Sequence, residues 1–399
     1  LRGANKGDVM TGSFVLDDAL AYVASVQASD LHLAVGSPPM VRLDGQLQTL
    51  PGGHDKFTPE SLRSVLMPAL APDQRERLEE DLELDLAYSA SGIGRFRVNM
   101  YWQRNSLGAA FRFIDSRIRT LDELGMPPQV RDFAYLPRGL VLVTGPTGSG
   151  KSTTLASLID VVNTDLAAHV MTVEDPIEFL HKHKKSIVNQ REVGTDTHTF
   201  AAALKHVLRQ DPDVILVGEL RDLESISVAL TAAETGHLVF ATLHTVDAAQ
   251  SIDRIIDVFP PHQQSQIRSQ LSGSLQGVVS QTLLRKIGGG RVVATEVMKM
   301  TPAIGHLVRE GKSHQIYSSL QSGAEHGMHT IDQSLAELVR SGVVTYDHAR
   351  EKASDLKSFE ALATRSTGDR DNAADAMAAA GLDFDDEFGG NQLSRRKRF

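Results

Sequence analysis

The stretch Gly145-Pro146-Thr147-Gly148-Ser149-Gly150-Lys151-Ser152 follows the apolar run Leu140-Val141-Leu142-Val143 and precedes Thr153-Thr154-Leu155-Ala156-Ser157-Leu158. Strand, glycine-rich turn and helix in that order form a phosphate-binding loop. The glycines let backbone N–H groups close around a polyphosphate without Cβ clashes. From this spacing Lys151 reaches the β- and γ-phosphates and Ser152 ligates Mg²⁺. The helix, which includes Thr153, turns its positive end toward the anion. An ordinary Gly/Ser turn is the plain alternative, and the complete pattern behind an apolar strand weighs against it. The sequence is therefore read as a nucleotide-binding chain, and the rest of it decides which kind.

A length of 399 residues suits two domains plus extra segments. Hydrophobic content of 41% and charged content of 23% are ordinary for a globular protein. The formal net charge of −9 argues against a dedicated nucleic-acid binder, although a local basic groove would be compatible with it. The chain has no cysteine, which excludes disulfides, cysteine zinc sites and cysteine nucleophiles. A cytoplasmic location is expected. No apolar stretch approaches the length of a membrane span. The first residues lack a signal-peptide core. Leu1 is an unusual first residue, and Met10 is an alternative start.

The expected organisation is an α/β protein in several parts. Residues 1–13 read as a flexible N-terminus, and 14–117 as a small α+β domain, with a helix over Leu16–Val26 and a hairpin turn at Asp44-Gly45. Residues 118–128 read as a linker because of Leu124-Gly125 and Pro127-Pro128. Residues 129–300 alternate strands and helices, as a mainly parallel sheet does. The expected strands are Leu140–Thr144, His169–Val173, Val214–Val217, Leu238–Thr242 and Val292–Val297. Residues 301–363 read as a C-terminal helical bundle, and 364–399 as a disordered tail rich in Ala, Asp and Gly.

Hydrolysis of ATP needs a metal site and a base for water as well as a phosphate cradle. Acids at the carboxyl ends of strands would supply both. Two segments offer them. Thr172-Val173-Glu174-Asp175-Pro176-Ile177-Glu178-Phe179 gives Glu178 or Glu174 as base, and Val214-Ile215-Leu216-Val217-Gly218-Glu219 gives Glu219 as the acid on the Mg²⁺ side. Thr235–Thr245 puts His237 and His244 at the two ends of an apolar strand, where a histidine could donate to a γ-phosphate or couple to a neighbouring subunit. His181-Lys182-His183-Lys184-Lys185 reads as a solvated loop and Pro260-Pro261-His262 as a turn.

Taken together, these boxes resemble the secretion and type IV pilus motor ATPases, and within them the PilT-type retraction ATPases. Walker A is Gly145–Ser152, the aspartate box Thr172–Phe179, Walker B Asp211–Asp222 and the histidine box Thr235–Thr245. Matching segments continue at Ala28–Leu33, Gly94–Asn99, Gln281–Arg291 and Gly327–Asp332, so the resemblance spans residues 14–359. Lack of a tetracysteine module and a short region before the phosphate loop favour the retraction type.

The resemblance implies a RecA-like P-loop core, a preceding PAS-like domain and a homohexameric ring that binds ATP between subunits. It implies that Gly145, Pro146, Thr147, Gly148, Ser149, Gly150, Lys151, Ser152 and Thr153 hold the nucleotide. Ser152 and Glu219 would hold the metal. Glu178 would be the base, with Lys151, Glu219, His237 and His244 as catalytic partners. Arg95, Arg97 and Arg112 would approach the γ-phosphate of an adjacent subunit, with Arg104 a weaker candidate. The implied partner is an inner-membrane platform protein (PilC-like), and the implied place is the cytoplasmic face of the membrane. The implied work is pilus retraction and twitching motility. Pilus-assembly or type II secretion ATPases, and a nucleic-acid translocase, are the alternatives. One departure is clear: where the family carries Ala-Ile-Arg-Asn-Leu-Ile-Arg-Glu, this chain reads Ala303-Ile304-Gly305-His306-Leu307-Val308-Arg309-Glu310. ATP binding is untouched by it; the coupling to retraction is what it bears on.

Overall fold

The computed structural model describes residues 14–43, 45–114 and 117–364. The expected flexible segment 1–13 and the tail from 365 onward lie outside the described residues, as does Asp44 of the expected hairpin turn. The chain divides into two compact units. One runs to Ile118 and takes in Pro176–Leu180; the other comprises Arg119–Asp175 and the chain from His181 onward.

The first unit is an antiparallel sheet of six strands: β1 (Asp30–Ala34), β2 (Met40–Leu43), β3 (Gln46–Thr49), β4 (Glu83–Ala90), β5 (Gly94–Gln103) and β6 (Ser106–Ile114). Their order is β3-β2-β1-β6-β5-β4. Alternation in the sequence sets the faces. Leu31 and Leu33 of β1, Val98 of β5 and Phe111 of β6 are buried in one core with Leu20 and Val23 of α1 (Leu16–Ser25) and Leu62 and Leu66 of α2 (Pro59–Leu66). Helix α2 starts at a capping box between Thr58 and Ser61, with Pro59 in its first turn, and α3 (Pro72–Asp81) also opens on a proline. The other face of the sheet carries a cross-strand row in which Asp30 pairs with Arg42 and Arg112, and Arg112 with Arg97.

The second unit opens with the short α4 (Pro128–Asp132) and is built on strands β7 (Gly139–Thr144), β8 (His169–Glu174), β9 (Ile187–Glu192), β10 (Val214–Val217), β11 (Leu238–Leu243), β12 (Leu275–Arg285) and β13 (Arg291–Lys299). The order is β13-β12-β7-β11-β10-β8-β9, parallel throughout except for the β12–β13 hairpin. Continuous apolar runs are explained by burial on both faces. Leu140 and Leu142 enter one hydrophobic cluster, and Val141 and Val143 enter the opposite one. Residues of β8, β10 and β11 divide in the same way.

Helices cover both faces: α5 (Lys151–Asp165), α6 (Phe200–Val207), α7 (Leu223–Glu234), α8 (Ala248–Asp257) and α9 (Pro261–Ser274). Helix α5 packs Leu155, Leu158, Ile159 and Val162 with Leu121 and Met126, so residues expected to form a linker contribute to this core. The C-terminal helices are α10 (Pro302–Arg309), α11 (Ile316–Ser322), α12 (Ile331–Arg340) and α13 (Tyr346–Arg350). Ile304, Val308, Ile316 and Leu320 join the core of the sheet, whereas Ile331, Leu335, Ala349 and Phe359 pack with Leu284 and Ala294 of the β12–β13 hairpin. The fold is a RecA-like P-loop core with an N-terminal α+β part and a C-terminal helical part.

Strands β9 and β12 were not among the expected strands. The first is an edge strand with mixed residues; the second carries Ser280, Gln281 and Thr282 in its middle, which masks its period. Pro260-Pro261-His262 is a correction of another kind. Pro260 caps α9 and Pro261 is its first residue, a position where the missing N–H costs nothing.

Candidate active site

The phosphate loop leaves the end of β7 and runs directly into α5. Gly145 has φ +141° and Gly150 φ +92°, both strained for residues with a Cβ. A Cβ at Gly145 would stand 2.2 Å from the Gln281 carbonyl oxygen. Gly150 is the N-cap of α5 and offers no side-chain bond to the first turn, whereas Thr199, Asp222, Asp247, Thr301 and Thr330 cap α6, α7, α8, α10 and α12 through their side chains. The N–H groups of the first α5 turn are thus left for an anion.

Lys151 is buried, and its Nζ donates to the carbonyls of Gly145 at 2.8 Å and Pro146 at 3.2 Å, which holds it across the loop. Pro146, Thr147 and Gly148 are exposed, and Ser152 and Thr153 are half-buried on the first turn. The Ser149 hydroxyl is buried and has no hydrogen-bond partner among the described residues. Open space surrounds the position a Cβ would take on Gly148. These residues fit a bound polyphosphate.

Glu219 and His244 lie at the same sheet edge. Strand β11 runs parallel to β7 with Leu243 opposite Thr144, so His244 and Gly145 leave adjacent strands at one level. Strand β10 lies on the other side of β11, and the Thr242 hydroxyl donates to the Gly218 carbonyl beside it. His244 Nε2 is 3.3 Å from Glu219 Oε2, and Arg221 Nη2 is 2.8 Å from the same oxygen. Burial works to raise the Glu219 pKa, but the Arg221 guanidinium and His244 outweigh it and hold the carboxyl below its ordinary value. A cleft of about 370 Å³ is lined by Glu219, Arg221, His244, Thr245 and Arg254. Arg221 and Arg254 were not singled out from sequence; an arginine two residues beyond the Walker B acid was the available signal. Among the described residues no cluster of three or more His, Asp or Glu could hold a metal. Mg²⁺ needs no such cage, because phosphates and waters supply most of its ligands.

Other expected residues sit elsewhere. His237 precedes β11, opposite the start of β7, so the length of the strand separates it from the loop edge. Its Nδ1 lies 3.0 Å from the Ala232 carbonyl, a local structural contact. As expected from the sequence, the two histidines stand at opposite ends of β11: His244 lies at the loop edge and His237 does not. Glu174 ends β8, where its Oε1 accepts from Thr172 Oγ1 at 2.7 Å and Gln190 Nε2 at 3.2 Å. Glu178 is exposed in Pro176–Leu180, the segment grouped with the first unit.

The arginine candidates belong to the first unit as well. Arg112 Nε donates to Asp30 Oδ1 at 2.9 Å. Burial acts to raise the Asp30 pKa, but Ser29 and Arg112 override it and lower it. Arg97 is exposed beside Arg112, Arg95 is half-buried, and Arg104 lies in the β5–β6 turn with φ +46°. His181 is also structural: burial pushes its imidazole down to about 4.

The profile of the type II/IV secretion system protein family (T2SSE) matches residues 13–289. The chain belongs to the type II/IV secretion system protein family. Among members of this family, it is 51% identical over 344 residues to the type IV pilus retractation ATPase PilT of Pseudomonas aeruginosa, covering 86% of this chain and 99% of that one. It is 47% identical over 322 residues to a twitching motility protein of Neisseria gonorrhoeae, covering 80% of this chain and 86% of the relative. A crystal structure of the pilus retraction motor PilT with bound ADP matches with a TM-score of 0.83 at 47% identity, over 87% of this chain and 99% of that chain. Within the secretion family the chain is an ATP-hydrolysing member of the PilT type.

Proposed function

We propose that the chain is the ATPase of a homohexameric motor that retracts type IV pili and so drives twitching motility. The observation that carries this reading is the identity of 51% along 99% of a relative described as a pilus retractation ATPase. The working location is the cytoplasmic face of the inner membrane, against a PilC-like platform protein. This agrees with the finding that, among the described residues, no helix is long and apolar enough to cross a membrane.

In the proposed site, residues 145–153 hold the phosphates of ATP, and Ser152 with Glu219 holds Mg²⁺. Bound Mg²⁺ supplies charge neutralisation on the transferring phosphoryl group. Lys151 neutralises phosphate charge, and Glu219 is kept ionised by Arg221 and His244. Glu178 accepts the proton of the attacking water. Arg97 and Arg112 reach the nucleotide of an adjacent subunit and stabilise charge there. An exposed Arg97 beside an Arg112 fixed by Asp30 supports that assignment.

The test is cellular. A strain whose only copy carries Lys151→Ala should assemble pili that extend but do not retract, measured as lost surface motility and zero retraction force on single pili. Normal retraction in that strain rejects the proposal; retraction intact with extension lost would assign the chain to pilus assembly instead.

A further inference from the structure

Strand β12 flanks β7 on the side away from β11, with Ser280 opposite Thr144. The Thr144 hydroxyl donates to Ser280 Oγ at 2.8 Å between two fully buried side chains. One residue further on, Gln281 is 3% exposed, and both ends of its amide are used. Its Nε2 donates to the Ser149 carbonyl at 2.7 Å, and its Oε1 accepts from the Thr154 hydroxyl at 2.9 Å. Ser149 belongs to the phosphate loop and Thr154 to the first turn of α5. One side chain therefore ties the loop to the helix that follows it.

The backbone of Gln281 adds a second restraint. Its carbonyl occupies the space a Cβ on Gly145 would need, at 2.2 Å, and its Nε2 would stand 3.2 Å from a Cβ on Gly150. Gln281 thus underlies the loop at both ends.

We infer that Gln281 is a positioning residue for ATP binding: it holds the Ser149 peptide and the first α5 turn in the register in which their N–H groups and Lys151 meet the phosphates together. A loop carbonyl that accepts a hydrogen bond from beneath keeps its peptide plane from rotating, so the N–H groups stay turned toward the ligand. Order held in advance is entropy not lost on binding. Both ends of the Gln281 amide are taken by Ser149 and Thr154, so its effect should fall on affinity more than on the chemical step.

The inference rests on ATP as the ligand of the loop, and binding of a non-hydrolysable ATP analogue to the wild-type full-length chain tests that separately. Given such binding, Gln281→Ala should weaken the analogue and raise KM for ATP about tenfold, with kcat changed less than threefold, the size of one lost hydrogen-bonded restraint. Thr154→Val should weaken binding about threefold and add nothing in the Gln281→Ala background, because both changes break the same tie. Gln281→Glu keeps the acceptor for Thr154 but sets a carboxylate against the Ser149 carbonyl, and should bind as poorly as the alanine variant. A purely structural role would lower the melting temperature and leave KM alone. A folded Gln281→Ala chain with wild-type KM and analogue affinity overturns the inference. Should that variant not fold, Thr154→Val decides, and unchanged affinity there overturns it equally.

Discussion

Glu219 is the residue on which most of the local electrostatics converge. Arg221 and His244 both meet one of its oxygens, so neutralising it should leave two cationic or donor groups facing an amide. Glu219→Gln is expected to lower ATP turnover by about a hundredfold or more while analogue binding stays within a few-fold, since electrostatic support of developing charge is lost and the loop is untouched. Steady-state turnover and equilibrium binding check this. A second carboxylate, Glu296 of β13, makes a prediction about pH. It accepts the Ala248 N–H at 2.9 Å at the start of α8. Burial first, with Asp247 and Asp332 adding like charge, pushes its pKa up to about 7, against the opposing bonds from the Ala248 and Ile331 backbones. A raised carboxyl pKa means that the folded state binds more protons than the unfolded state between the ordinary value and about 7. Stability from this group is therefore full below that window and falls as pH rises through it, by about 3 kcal/mol. Melting temperatures of wild type and Glu296→Gln from pH 5 to 8 test the sign: the wild type should lose stability with pH relative to the variant, and parallel curves would reject it.

At the scale of elements, what was legible in the sequence followed physical constraint. Strands β7, β10 and β11 are buried on both faces, so they read as unbroken apolar runs, and α7 lies where its periodicity put it. The phosphate loop was legible for a related reason, because its glycines answer to backbone space that only the neighbouring strand defines. That strand, β12, was not legible. Its polar middle serves the loop through Ser280 and Gln281, and those contacts exist only after 130-odd residues of chain have folded between them. Asn163 is a similar case. It is fully buried near the end of α5, its Nδ2 donates to the Lys182 carbonyl at 2.7 Å, and its Oδ1 accepts from the Lys184 N–H at 3.0 Å. The loop His181–Lys185, which reads in the sequence as solvated, is pinned by this amide. Asn163→Ala should cost about 2–3 kcal/mol by leaving buried loop groups unpaired, seen as a lower melting temperature and faster proteolysis near Lys184. Wild-type resistance to protease would contradict it. Gly145→Ala should abolish analogue binding, since its Cβ meets the Gln281 carbonyl; retained binding would show that the loop can shift.

At the scale of the whole molecule, the expected site residues divide between the two units. Lys151, Ser152, Glu219 and His244 belong to one, and Arg95, Arg97, Arg112 and Glu178 to the other. Sequence order could not show this division, because the aspartate box looks continuous while Pro176–Leu180 groups with the first unit. The separation of His237 from His244 was legible, since the apolar run between them reads as a strand and sets them at opposite ends of β11. The proposed ring makes such a division useful: a phosphate loop from one subunit and an arginine from its neighbour complete each site. The most direct measurement mixes two inactive full-length variants, Lys151→Ala and Arg97→Ala, and follows ATP turnover. Mixed rings should regain up to about a quarter of the wild-type rate, the share of junctions in which both halves are intact under random mixing. A mixture as inactive as its components, or an Arg97→Ala chain that hydrolyses ATP at the wild-type rate alone, would contradict it.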